Sequence, residues 1–200
     1  MKSLFNVNHF TRALAVAITL SVSTGGVLAH EGEHHPDAMT ASLEKLKGKE
    51  FESMFLKEMI HHHESAVEMA KLAATNTKRA ELNKFGKDII TAQKAEIDQM
   101  TGWLKKDGES ARSMKEMPGM EKMMGEMEGL NKAKDAEFDK MFLRMMSEHH
   151  QGAVAMSKLV ADRTERADIK ELASKIIKDQ TKEVEQMKSW EKSWFGSAAH

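Results

Sequence analysis

FESMFLKEMIHHHESAVEM, residues 51–69, returns without a gap as FDKMFLRMMSEHHQGAVAM, residues 138–156. The likeness runs on past both stretches. Phe51 to Lys105 aligns on Phe138 to Lys192 at a constant offset of 87, with close to half the positions identical. Self-similarity of that length means that one structural unit is written twice. Within the first copy Phe51, Phe55, Met59, His62, Ala66, Met69 and Ala73 recur at three- and four-residue steps, a single stripe of a 3.6-residue helix. Leu82, Phe85, Ile89, Gln93, Glu96, Met100 and Trp103 repeat the pattern. Thr75-Asn76-Thr77, and Asp162-Arg163-Thr164 in the second copy, interrupt the apolar rhythm with N-capping residue types. Each unit is therefore expected to be a helical hairpin.

Two amphipathic hairpins bury their stripes best against each other, which predicts an all-α four-helix bundle. The segment between them is long for a bundle and carries Gly108, Pro118-Gly119, Gly125 and Gly129. A long crossover between two helix pairs is the connectivity of ferritin-like bundles. The expected organisation is a first hairpin over 39–105, a Met-rich, poorly ordered crossover over 106–134 with room for a short helix, and a second hairpin over 135–194, with 39–194 as one domain.

Composition narrows the chemistry. The 200-residue chain has no Cys, only two Pro, no Tyr, but 17 Met and ten His. Thiolate metal sites, disulfide scaffolds and cysteine nucleophiles are excluded together. A formal charge of −1 offers no basic footprint for nucleic acid. Residues 1–29 begin with Lys2 and Arg12, continue through the apolar run Ala13–Leu20 and close on Val27-Leu28-Ala29. That is the layout of a secretory signal cleaved after Ala29, too short to span a bilayer, leaving a periplasmic protein with no membrane anchor. In such a compartment, without thiols, a soft metal must be bound by thioether and imidazole.

Four groups of residues carry that chemistry. Met59, His62 and His63, and their copies Met146, His149 and His150, form a Met-x-x-His-His motif. Its helical spacing brings thioether and imidazole to one side, suited to Cu(I) or Ag(I). His62 falls mid-stripe and His63 at its edge, while His61 has no counterpart in the second copy (Glu148) and reads as an exposed extra donor. Glu96 and Glu183 are carboxylates in the middle of apolar stripes, which must be paired or neutralised, and suit holding a His or a core cation. Counting outward from Asn76 puts Gln93 level with Met59 and Glu96 one turn beyond. Met114, Met117, Met120, Met123, Met124 and Met127 form Met-x-x-Met steps among Lys, Glu, Gly and Pro, with few other apolar residues to share a core. That favours loose, high-capacity metal capture over packing. His30, His34 and His35 would lie at the new N-terminus, where the α-amine and imidazole of His30 suit Cu(II).

With Met-x-x-His-His followed by Ala-Val-x-Met, and a distal Gln-x-x-Glu-x-x-x-Met-x-x-Trp, all duplicated after an export signal, the chain resembles domain-of-unknown-function family 305. The likeness covers about Phe51 to Trp190. It implies a ferritin-like bundle outside the cytoplasm that binds Cu(I), and often Ag(I), through Met and His and contributes to copper tolerance. Carried onto this chain, the implied ligands are Met59, His62, His63 and Met69, with Met146, His149, His150 and Met156. Ser147 and Glu148 stand where the first copy has Ile60 and His61, so the two sites are expected to differ.

The leading expectation is thus a non-enzymatic copper(I) and silver(I) buffer or carrier in copper homeostasis and resistance, whose partners are copper ions and periplasmic copper efflux or oxidase components. Imidazole ligation predicts weakening below about pH 6. Two alternatives stand beside it. A di-iron or di-manganese oxidase needs Glu-x-x-His on facing helices; Glu58 and His61 have that spacing, but Met145 and Glu148 replace them in the second copy. A metal-free structural or interaction bundle would use the methionines for packing alone.

Overall fold

The computed structural model describes residues 38–111 and 120–196. A short α1 (Ala38–Leu43) precedes the first hairpin, α2 (Gly48–Asn76) and α3 (Ala80–Lys106). The crossover contributes α4 (Met120–Lys132), and the second hairpin is α5 (Asp135–Lys158), a single 3-10 turn (Leu159–Asp162) and α6 (Ala167–Phe195). There is no strand among the described residues, and the four long helices form a bundle. The expected signal, residues 1–29, lies outside the described residues, and no helix among those described is long and apolar enough to cross a membrane.

Every residue of the first apolar stripe is buried, from Phe51 to Ala73. Each of the fully enclosed rings of Phe51, Phe55, Phe138 and Phe142 contributes about 1.5–3 kcal/mol by leaving water. The first arms, α2 and α5, pack against each other, and each second arm packs against its own first arm. The turn chemistry differs from the expectation. Asn76 is still helical, and Thr77 and Thr164 are not N-caps. Each threonine Oγ1 instead accepts the amide N–H two residues on, from Arg79 and Arg166, and shapes the turn. Those two arginines tie the halves together. Arg79 bridges to Asp139 at 3.0 Å, and Arg166, its repeat counterpart, approaches Glu52 at 3.8 Å.

The crossover contains the short helix for which the sequence left room. From Met120 it is helical, and its C-terminal half docks through Leu130 and Ala133 into the apolar cluster around Phe138 and Phe142. The Asn76 amide donates to the carbonyls of Asn131 (3.0 Å) and Ala133 (3.1 Å), satisfying groups that a helix end otherwise leaves bare.

Candidate metal centre

Duplication has a geometric consequence at the middle of the bundle. Because α2 and α5 carry the same stripe and face each other, the motif of one copy meets the motif of the other. His62 and His149, equivalent positions, meet ring against ring, with centroids 3.7 Å apart and planes tilted by 41°. On one side of this pair Met59 shares an apolar cluster with Ala153 and Met156; on the other, Met69 and Ala66 share a cluster with Met146. All four methionines are buried, each in a cluster with one from the other copy. Each cluster thus brings together motif methionines of both copies, Met59 and Met156 with Met100 in one, Met69 and Met146 with Met187 in the other.

His63 and His150 complete the layer. Both are fully buried, although His63 is an edge position by periodicity, because α3 and α6 cover that side. His63 Nε2–H donates to Glu96 Oε2 at 2.7 Å, and His150 Nε2–H to Glu183 Oε2 at 2.8 Å. Glu96 thus lies close to the imidazole level and not one turn past Met59, since α3 begins only at Ala80 and the loop residues 77–79 set each of its positions back toward the turn. Lys175 of α6 reaches the other Glu96 oxygen at 2.6 Å. Burial alone would raise the Glu96 carboxyl. Hydrogen bonds from His63 and Lys175 outweigh it and hold the group below the ordinary carboxylate range.

With Nε2 protonated toward a carboxylate, the Nδ1 lone pair is the donor left on His63 and His150. Nδ1 of His62, His63, His149 and His150 is buried without a hydrogen-bond partner in all four cases. Four such nitrogens in one layer run against the rule that buried polar atoms are satisfied. Burial, and then the neighbouring imidazoles, depress the pKa of His62 and His149 well below that of a solvated histidine. Both rings are therefore neutral and able to donate lone pairs at a pH lower than the expected limit near 6. Among the described residues no three His, Asp or Glu side chains gather as a nitrogen-and-oxygen metal site.

The remaining candidates are placed less centrally. His61 is buried, not exposed as expected, with Nδ1 on Glu64 at 3.0 Å. Glu58, three residues before it, accepts from Ser42 at 2.6 Å, so the Glu-x-x-His pair is engaged by α1 and by its own helix. Met120, Met123 and Met124 lie on α4, and Met127 is half-buried against the cluster of Phe138. Met114, Met117, His30, His34 and His35 lie outside the described residues. Gln93 and Gln180, both buried with an unpartnered Oε1, were visible in the sequence only as neighbours of the glutamates.

A helical bundle with imidazole and thioether at its centre is one class of protein; comparison gives the family. The DUF305 model, a domain of unknown function, matches residues 23–104 and 66–191, and the chain belongs to that family. CopM in its silver-bound form is 31% identical, covering 72% of this chain and 97% of that one, with a TM-score of 0.63. CopM in its Cu(I)-bound form is 32% identical over 72% and 98% of the two chains, also at 0.63. A DUF305 fragment from Deinococcus radiodurans is 28% identical over 72% and 96%, at 0.63. No curated protein sequence matches the chain.

Proposed function

We propose that this protein takes Cu(I) and Ag(I) as cargo through the Met and His side chains of the α2/α5 layer. It acts outside the cytoplasm as a buffer or carrier in copper resistance, and catalyses no reaction. One observation carries this reading: four buried imidazoles whose Nδ1 atoms have no partner, beside two apolar clusters that each hold buried methionines of both copies. Thioether and neutral imidazole are the soft and borderline donors that monovalent coinage ions prefer, and neither needs to lose a proton at neutral pH. Glu96 and Glu183 fix the ring orientation of His63 and His150, as outer carboxylates do for ligating histidines. Structures of CopM with Ag, Cu(I) and Cu(II) support the choice of ions.

The Met-x-x-Met steps of 114–127 supply a looser second store, and His30, His34 and His35 a Cu(II) site at the processed N-terminus. Titration of the apo-protein with Cu(I) against a competing chelator tests the central reading. Binding well below micromolar, weakened in the double variant His62→Leu/His149→Leu, is expected. No binding tighter than micromolar overturns it.

A further inference from the structure

The imidazole layer is not equally covered on all sides. Over α2 and α5 lie α1 and α4, which pack on these two arms and close the face they share. Opposite, α3 and α6 each pack on their own first arm and leave a cleft of about 260 Å³ between them at mid-length. Its lining includes Glu96 and Glu183, the carboxylates that hold His63 and His150, and so it reaches to within one side chain of the candidate donors.

Two further features of the cleft are unexplained by packing. Gln93 and Gln180 both line it, both are 3% exposed, and in both the amide Oε1 has no hydrogen-bond partner. Each is an unspent oxygen donor in repeat-related positions. The charge at the mouth is, in contrast, not duplicated. Lys175 spans Glu96 (2.6 Å) and Asp179 (3.3 Å), whereas the positions equivalent to Lys175 and Asp179 in the first copy are Asp88 and Ala92. Asp88 is instead paired with Lys84 at 2.5 Å on the exposed face of α3. Two ammonium groups, those of Lys175 and Lys182, therefore line an otherwise acidic and carbonyl-lined passage, and Lys175 is the one bonded to the carboxylate that holds His63.

We propose that the α3/α6 cleft is the port through which a monovalent coinage cation reaches and leaves the imidazole layer. The Gln93 and Gln180 carbonyls replace its water in transit, and Lys175 is the electrostatic barrier at the mouth. The proposal rests on the metal-binding reading above and adds the route. A hydrated cation entering an apolar bundle needs oxygen donors along the way to offset lost hydration, and acidic lining concentrates it at the opening. Lys175 cancels much of that attraction until it is displaced.

The test separates a path from a site. A plug in a path slows entry and exit by the same factor and leaves affinity unchanged. Ala92 is exposed on the lip, so Ala92→Trp narrows the cleft without entering the core. Loading of the full chain with silver nitrate, followed by stopped-flow fluorescence, and release into excess thiosulfate give both rates. In Ala92→Trp both rates are expected to fall about fivefold or more with an unchanged Kd. Lys175→Met is expected to load about tenfold faster at low salt, with the gain shrinking as salt is added, and Lys84→Met, on the outer face, to load like the parent. Rates unchanged in Ala92→Trp and Lys175→Met, with silver still bound tightly, overturn the port and leave the binding reading standing. A weakened Kd in Ala92→Trp without a matched slowing also overturns it. Failure of the parent chain to bind silver removes both.

Discussion

His62 and His149 are the residues on which stability and binding make opposite demands. Both are neutral in the folded bundle because burial disfavours their charged forms, while in the unfolded chain they titrate near pH 6.5. Unfolding therefore takes up protons below that pH. The apo-protein keeps its full stability above about pH 6.5 and loses up to about 1.4 kcal/mol per pH unit per imidazole as the pH falls below it, until the lowered folded values are reached. Urea melts at pH 7 and pH 5.5 check this, and His62→Leu/His149→Leu should flatten that part of the profile while weakening silver binding at least about 100-fold. Equal binding by the double variant would mean that these rings only fill space. Glu96→Gln and Glu183→Gln address ring orientation. Each should leave the fold intact and lower Cu(I) affinity about 10–100-fold, measured by chelator competition.

Among the elements, α2 and α5 were the most legible from sequence. Apolar residues at helical spacing, repeated at a fixed offset, specify both the helices and the face each buries. Phe55→Ala or Phe142→Ala should cost about 3–5 kcal/mol in urea unfolding, because each ring is fully enclosed. The turns and α4 were less legible. Thr77 and Thr164 could cap a helix or shape the turn before it, and only the position of the next amide decides between these uses. The docking of α4 depends on Leu130 and Ala133, two residues that do not stand out among six methionines, and on Asn76, which is distant in sequence. Asn76→Ala should therefore cost about 1–3 kcal/mol through bare carbonyls at the α4 end. It should also speed hydrogen exchange of α4 before that of α5.

At the scale of the molecule, the site is a product of internal symmetry. The close approach of His62 to His149 and the sharing of one cluster by Met59 and Met156 follow once two equal stripes face each other, yet a linear motif suggests a site within one copy. The spacing Met-x-x-His-His held the donor types, while their partners across the bundle became visible only with the fold. His63 shows the same limit, since an edge position is buried when a second helix covers it. A ligand that binds only the folded bundle must stabilise it: silver at about 100 times its Kd should add about 2.7 kcal/mol and raise the melting temperature accordingly. The account stands or falls on which atoms surround the metal. X-ray absorption at the copper edge of the Cu(I)-loaded protein should show sulfur together with imidazole nitrogen in the inner sphere. An inner sphere of oxygen alone, or one free of sulfur, would contradict it.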